Sequence, residues 1–143
     1  MKRAGAVVLI VAGVLAVTAA SCARNEAQGE VAELRAVLTD SAWVIDLGSG
    51  ALAEHYVYVF KEDGSYGNQL VSDYDCPPVT GQWTLSVRED GKVILRLSGH
   101  SGQPDYYCLQ ELSEIRYDEV TDQLFVSGDS YVGEVPLRHD TSL

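Results

Sequence analysis

The chain has 143 residues, a formal net charge of −11, 46% apolar and 22% charged residues, and a mean hydropathy of −0.02. This is the composition of a folded globular protein, one domain in size, and it excludes a collagen-like, coiled-coil or repeat architecture, a disordered chain and a polytopic membrane protein. The acid excess argues against nucleic acid and against an anionic lipid surface as binding partners.

Met1-Lys2-Arg3 gives a positive start, and Ala4 to Ala20 is an uncharged run of Val, Leu, Ile and Ala, short for a spanning helix and ending in small residues. This pattern predicts a bacterial secretory signal over residues 1–21. The following Ala19-Ala20-Ser21-Cys22 resembles the lipobox of bacterial lipoproteins, in which the cysteine is diacylated and becomes the mature N-terminus; Ala19 stands where that family prefers Leu. The resemblance implies a lipid anchor at Cys22 and attachment to the outer face of a bacterial membrane in the cell envelope, with residues 22–30 as a polar tether. Ordinary cleavage after Ser21 or slightly downstream, giving a soluble secreted protein, is the alternative. Without the leader, 122 residues remain, with 8 basic against 21 acidic side chains, a charge of −13.

Three cysteines are an odd number for an exported chain. Assigning Cys22 to lipid leaves Cys76 and Cys108, and in an oxidising compartment the expectation is a disulfide between them. Such a bridge closes a 33-residue loop and restricts the unfolded chain by about 3.5–4 kcal/mol. No Cys-x-x-Cys suggests exchange chemistry, and no Cys or His cluster suggests zinc.

The remaining chain, 31–143, reads as one β-barrel domain with a short N-terminal helix. In GEVAELRAVLTD (Gly29 to Asp40), Val31, Leu34, Val37 and Leu38 recur at helical spacing. Beyond it the period changes to two. Strands are expected over Ala42–Leu47, Glu54–Lys61, Ser65–Ser72, Gly81–Arg88, Lys92–Ser98, Tyr106–Tyr117 with a break near Leu112, Gln123–Gly128 and Tyr131–Leu137.

Turn chemistry supports that division. Lys61-Glu62-Asp63-Gly64 and Arg88-Glu89-Asp90-Gly91 repeat one pattern 27 residues apart, each placing a glycine where a tight hairpin needs positive φ. Asp118 to Asp122 lacks glycine and predicts a longer loop. Consecutive hairpins make an antiparallel up-and-down meander, which buries one face by curling into a barrel or folding into a sandwich. Tyr56, Tyr58 and Phe60 share a face, as do Trp83, Leu85 and Val87; Val93, Leu95 and Leu97; and Leu124 and Val126. The aromatic faces are expected inward, where each Trp or Tyr removes about 150–250 Å² from water.

The succession Trp43, Tyr58-Val59-Phe60, Glu62-Asp63-Gly64-Ser65-Tyr66, Gly81-Gln82-Trp83-Thr84-Leu85 and Val93–Leu97 resembles the bacterial lipocalin-like lipoproteins from about Leu38 to Leu137. In that group a Gly-x-Trp opens the first strand, where this chain has Ser41-Ala42-Trp43. The resemblance implies an all-β, lipocalin-like barrel of about eight strands with a hydrophobic pocket, and no particular reaction.

A search for catalytic chemistry finds no constellation. Gly99-His100-Ser101-Gly102 lacks the second glycine of a serine-hydrolase elbow, since Gln103 stands there. His55, His100 and His139 have no ligand-like spacing, and the acidic loops contain no twelve-residue calcium motif. A binding protein rather than an enzyme is expected, without cofactor or metal. The candidate site is a rim formed by Asp73–Pro78 and His100–Tyr107, drawn together by the Cys76–Cys108 bridge and presenting Tyr74, Asp75, Tyr106 and Tyr107. Two partner classes fit it: a small apolar or amphipathic ligand, or a basic protein engaged by the acidic rim.

Overall fold

Glu-Asp-Gly turns and period-two alternation organise the chain as the sequence indicates. A computed structural model describes residues 8–47 (with side chains from Cys22), 54–71, 76–101, 112–128 and 133–140. Helix α1 (Val8–Asp40) precedes β1 (Ala42–Leu47), β2 (Glu54–Phe60), β3 (Ser65–Val71), β4 (Val79–Val87), β5 (Val93–Ser98), β6 (Glu114–Asp118), β7 (Gln123–Val126) and β8 (Val135–His139). All neighbours pair antiparallel, and β8 closes on β1 through Trp43 opposite His139 and Val44 opposite Arg138, giving a closed, lipocalin-like eight-stranded barrel.

In the first hairpin the Gly64 N–H donates to the Lys61 carbonyl at 3.0 Å and the Lys61 N–H to the Ser65 carbonyl at 2.9 Å, with Gly64 at φ 85°. The second copies it: Gly91 N–H to Arg88 O at 2.9 Å, Arg88 N–H to Lys92 O at 2.8 Å, Gly91 at φ 83°. Asp63 Oδ1 accepts the Ser65 N–H at 2.8 Å, and Asp90 Oδ1 the Lys92 N–H at 3.2 Å, so the aspartate of each motif stabilises the turn's exit. The third connection has no glycine, and Asp122 itself takes the left-handed φ of 52°.

Register fixes which side chains point inward. Across β1, β2, β3 and β4, Trp43 opposes Tyr58, Tyr58 opposes Asn68 and Asn68 opposes Val79, so these share the inner face with Tyr56, Phe60, Tyr66, Leu70 and Trp83. Trp43, Ile45, Tyr56, Tyr58, Leu124 and Val126 are fully buried. Trp83 is buried, Leu85 half-buried and Val87 40% exposed, because the β4–β5 hairpin extends beyond the barrel wall.

The end of α1 closes the hairpin end of the barrel. Leu34 and Leu38 are buried in the core cluster, the Trp43 indole N–H donates to the Leu38 carbonyl at 3.1 Å, and the Arg35 guanidinium lies 4.6 Å over the Trp83 ring. The Trp83 indole N–H in turn donates to Lys61 O at 3.0 Å.

Several boundaries differ from the sequence reading. The helix is continuous from Val8, so the stretch 22–30 read as a tether is helical; its Ala, Glu, Gln and Arg are strong helix formers, and Gly29 costs only about 1 kcal/mol relative to Ala. Among the described residues no helix is long and apolar enough to cross a membrane. β4 begins at Val79, two residues early, because Val79 pairs with Asn68 and packs inward. β6 starts only at Glu114, and β8 runs from Val135 to His139, extended two residues past Leu137 by its pairing with β1. Residues 106–111 and 131–132 of those expected strands lie outside the described residues.

Candidate functional site at the open end of the barrel

An up-and-down barrel segregates its connections. The three tight hairpins share one end with the α1 plug; the links from β1 to β2, β3 to β4, β5 to β6 and β7 to β8 all leave from the other, open end. The two segments expected to form the rim, Asp73–Pro78 and His100–Tyr107, therefore leave adjacent strands at the same end. Of the second segment, Ser101 is held to β4: its N–H donates to Thr80 O at 2.8 Å, and the Thr80 N–H donates to Ser101 Oγ at 3.0 Å. Tyr74, Asp75, Tyr106, Tyr107 and Cys108 lie outside the described residues. Cys76 is half-buried against the core and is not a free thiol, whereas Cys22 is free and exposed.

Among the described residues the upper inner wall is less buried on one side. Leu47, Leu97 and Val135 face inward by register yet are only half-buried, whereas the inward Trp, Tyr and Phe below them are 0–2% exposed. Leu70 and Val79, on the β3–β4 side, are buried. Half-burial of Leu85 and Tyr117 belongs to the hairpins that overhang the opposite end.

Polar groups sit in this upper tier. The inward Glu54 carboxylate accepts the Tyr56 hydroxyl at 3.1 Å. The Tyr66 hydroxyl and His100 Nδ1 are hydrogen-bonded at 2.5 Å, and burial pushes the Tyr66 phenol up to about 12, so it stays neutral. Asn68 is 3% exposed; its Nδ2 donates to Val57 O at 3.4 Å, while its Oδ1 has no hydrogen-bond partner. An unmade hydrogen bond at a buried acceptor costs about 1–3 kcal/mol.

Sequence reasoning placed His100 at this end but missed Glu54 and Asn68. The signal for Asn68 was present: in Tyr66-x-Asn68-x-Leu70 a polar residue occupies an inward position between two apolar ones. His55 is bonded to Asp46 on the outer face, and the His139 ring lies 4.2 Å from that of Trp43, tilted by 39°, so the three histidines do not converge. Among the described residues no group of three or more His, Cys, Asp or Glu is arranged to hold a metal.

A second concavity, of about 310 Å³, lies between Glu30 of α1 and the outer side of β5 and β6, lined by Asp90, Lys92, Glu114, Arg116 and Glu134. Its charges on β5, β6 and the flanking segments are paired. Glu114 pairs with Arg88 at 2.7 Å and Lys92 at 2.8 Å, and Arg116 with Glu134 at 2.8 Å. The Arg88 guanidinium holds Asp90 at about 2, Lys92 and Arg88 lower Glu114, and Arg116 lowers Glu134. That leaves the open end as the better candidate.

No protein-family model matches the chain, and no curated protein matches it.

Proposed function

We propose that this chain is an exported protein of the bacterial cell envelope, akin to the lipocalin-like lipoproteins, anchored by lipid at Cys22 and carrying a small apolar or amphipathic molecule at the open end of its barrel. The observation that carries the ligand reading is the half-burial of the inward Leu47, Leu97 and Val135 above a packed aromatic floor. An apolar vestibule with a few fixed polar groups is the usual form of a small-molecule site. The Cys76–Cys108 bridge belongs to this reading: it would tie the β3–β4 and β5–β6 connections together and preorganise the rim that holds Tyr74 and Tyr107.

A second reading, docking of a basic protein, is favoured by a different observation. The closed end presents Glu62, Asp63, Glu89, Asp90, Glu119 and Asp122 on its three hairpins. Native mass spectrometry of the chain purified from its host separates the two. An added mass of a few hundred daltons supports the carrier, and a retained protein supports docking. Recovery of the bare chain alone counts against both.

A further inference from the structure

Among the described residues, Asn68 is the buried polar side chain whose acceptor is unused. It faces inward from β3, opposite Tyr58 on one side and Val79 on the other, with Tyr66 and Leu70 as its same-face neighbours. All four are 4% exposed or less. A leucine would fill this position without an unmet polar group, so an amide here serves something other than packing. The half-buried tier of Leu47, Leu97 and Val135 lies in the same upper interior.

Resting on the carrier reading, we propose that Asn68 Oδ1 receives a hydrogen bond from a neutral amphiphile entering through the open end: an aliphatic primary amide or alcohol, and not a fatty acid. The chemistry selects the class. Oδ1 offers lone pairs only, so the ligand must bring an N–H or O–H; a primary amide can also accept from the remaining Nδ2 proton and form a reciprocal pair. A carboxylate would set its oxygens against Oδ1 and pass the inward carboxylate of Glu54 on the way in. An ammonium could donate, but would leave a full charge in a shell of Tyr58, Leu70 and Val79. Asn68 Oδ1 is screened from solvent by these neighbours.

The test titrates the full chain with decanamide, N,N-dimethyldecanamide and decanoate, following tryptophan fluorescence and calorimetric heat. The wild-type chain should bind decanamide about tenfold or more tightly than the dimethyl compound, which lacks the N–H, as expected for one lost hydrogen bond to a buried acceptor. Decanoate should bind more weakly than decanamide. In Asn68→Leu the two amides should bind within about twofold of each other, and the variant should melt no lower than wild type; Asn68→Val, suited to a strand, is the second variant should the first misfold. Equal binding of the two amides by the wild-type chain, a preference that survives in a folded Asn68 variant, or tighter binding of decanoate would overturn the assignment while leaving the carrier reading in place. Binding of none of the three would overturn both.

Discussion

The ring of Tyr66 lies against the bare backbone of Gly81: a Cβ on Gly81 would fall 2.7 Å from Tyr66 Cε1 and 2.6 Å from the Ser98 carbonyl oxygen. The glycine is therefore the space through which Tyr66 reaches from β3 towards His100 beyond β5. Gly81→Ala should destabilise the barrel by about 1–3 kcal/mol, the usual cost of overpacking, whereas Gly67→Ala, with nothing within 4 Å of its added methyl, should be neutral or slightly stabilising. Urea denaturation of the two variants measures the contrast, and equal losses would show that Gly81 is not a packing requirement.

The Tyr66 phenol gives the fold an alkaline limit. Burial raises it to about 12 from an ordinary value of 10.0, so the unfolded chain ionises first. Stability from this group is complete below pH 10 and declines as pH rises towards 12. Tyr66→Phe should flatten the loss of stability over that window, read as midpoint against pH. An unchanged slope would assign the alkaline transition to other groups.

Closure of the barrel has an acid-sensitive clasp. Asp46 on β1 accepts from Arg138 Nε on β8 at 2.6 Å and is bonded to His55 on β2; the hydrogen bond from Arg138 is the main cause that holds its carboxyl below the ordinary 3.8. A depressed carboxyl contributes stability that is present above the unfolded value and fades as pH falls through the folded one. Amide exchange in β8 should therefore accelerate below about pH 4, and Asp46→Asn should show the faster exchange already at neutral pH. Exchange in β8 that does not respond to the substitution would remove the clasp.

The helix plug should behave as core. Leu38→Ala should cost about 2–5 kcal/mol, whereas Ala36→Ser, two residues earlier and exposed, should change stability by less than about 1 kcal/mol. Thermal melts of both variants decide, and a mild Leu38→Ala would mean that α1 lies on the barrel without sealing it.

Anchor and bridge are tested by chemistry on the cysteines. Cys22→Ala should move the protein from the membrane fraction to the soluble one. Thiol labelling of the native chain without reductant should find neither Cys76 nor Cys108; labelling of both refutes the bridge.

The hairpins were legible because their signals are local: two Glu-Asp-Gly-x turns and the alternation of Tyr56, Tyr58 and Phe60 specify pairing within a few residues. The start of α1 was not, since an Ala- and Glu-rich stretch is compatible with a solvated tether or a helix, and packing at Leu34 and Leu38 lies outside that stretch. The shift of β8 to His139 follows from pairing with β1, nearly a hundred residues earlier, which no local pattern reports. For the site, the rim was read from Gly, Pro and Cys content and its tyrosines lie outside the described residues, whereas Asn68 required knowing that position 68 faces inward. That knowledge depends on the register from Trp43 through Val79.

In this barrel each strand pairs with its neighbours in the chain, apart from the single seam where Trp43–Val44 meets His139–Arg138. Six pairings can form in succession as the polypeptide lengthens, each closing a loop of modest entropy, while β7–β8 and the closing β1–β8 seam must wait for the last strand. Until then the early strands expose unpaired edges and the tryptophan that lies beside His139 lacks its neighbour. The most aggregation-prone interval in the life of the molecule is therefore the one just before β8 arrives, and a substitution at the seam can reduce the yield of folded protein more than its effect on equilibrium stability would indicate.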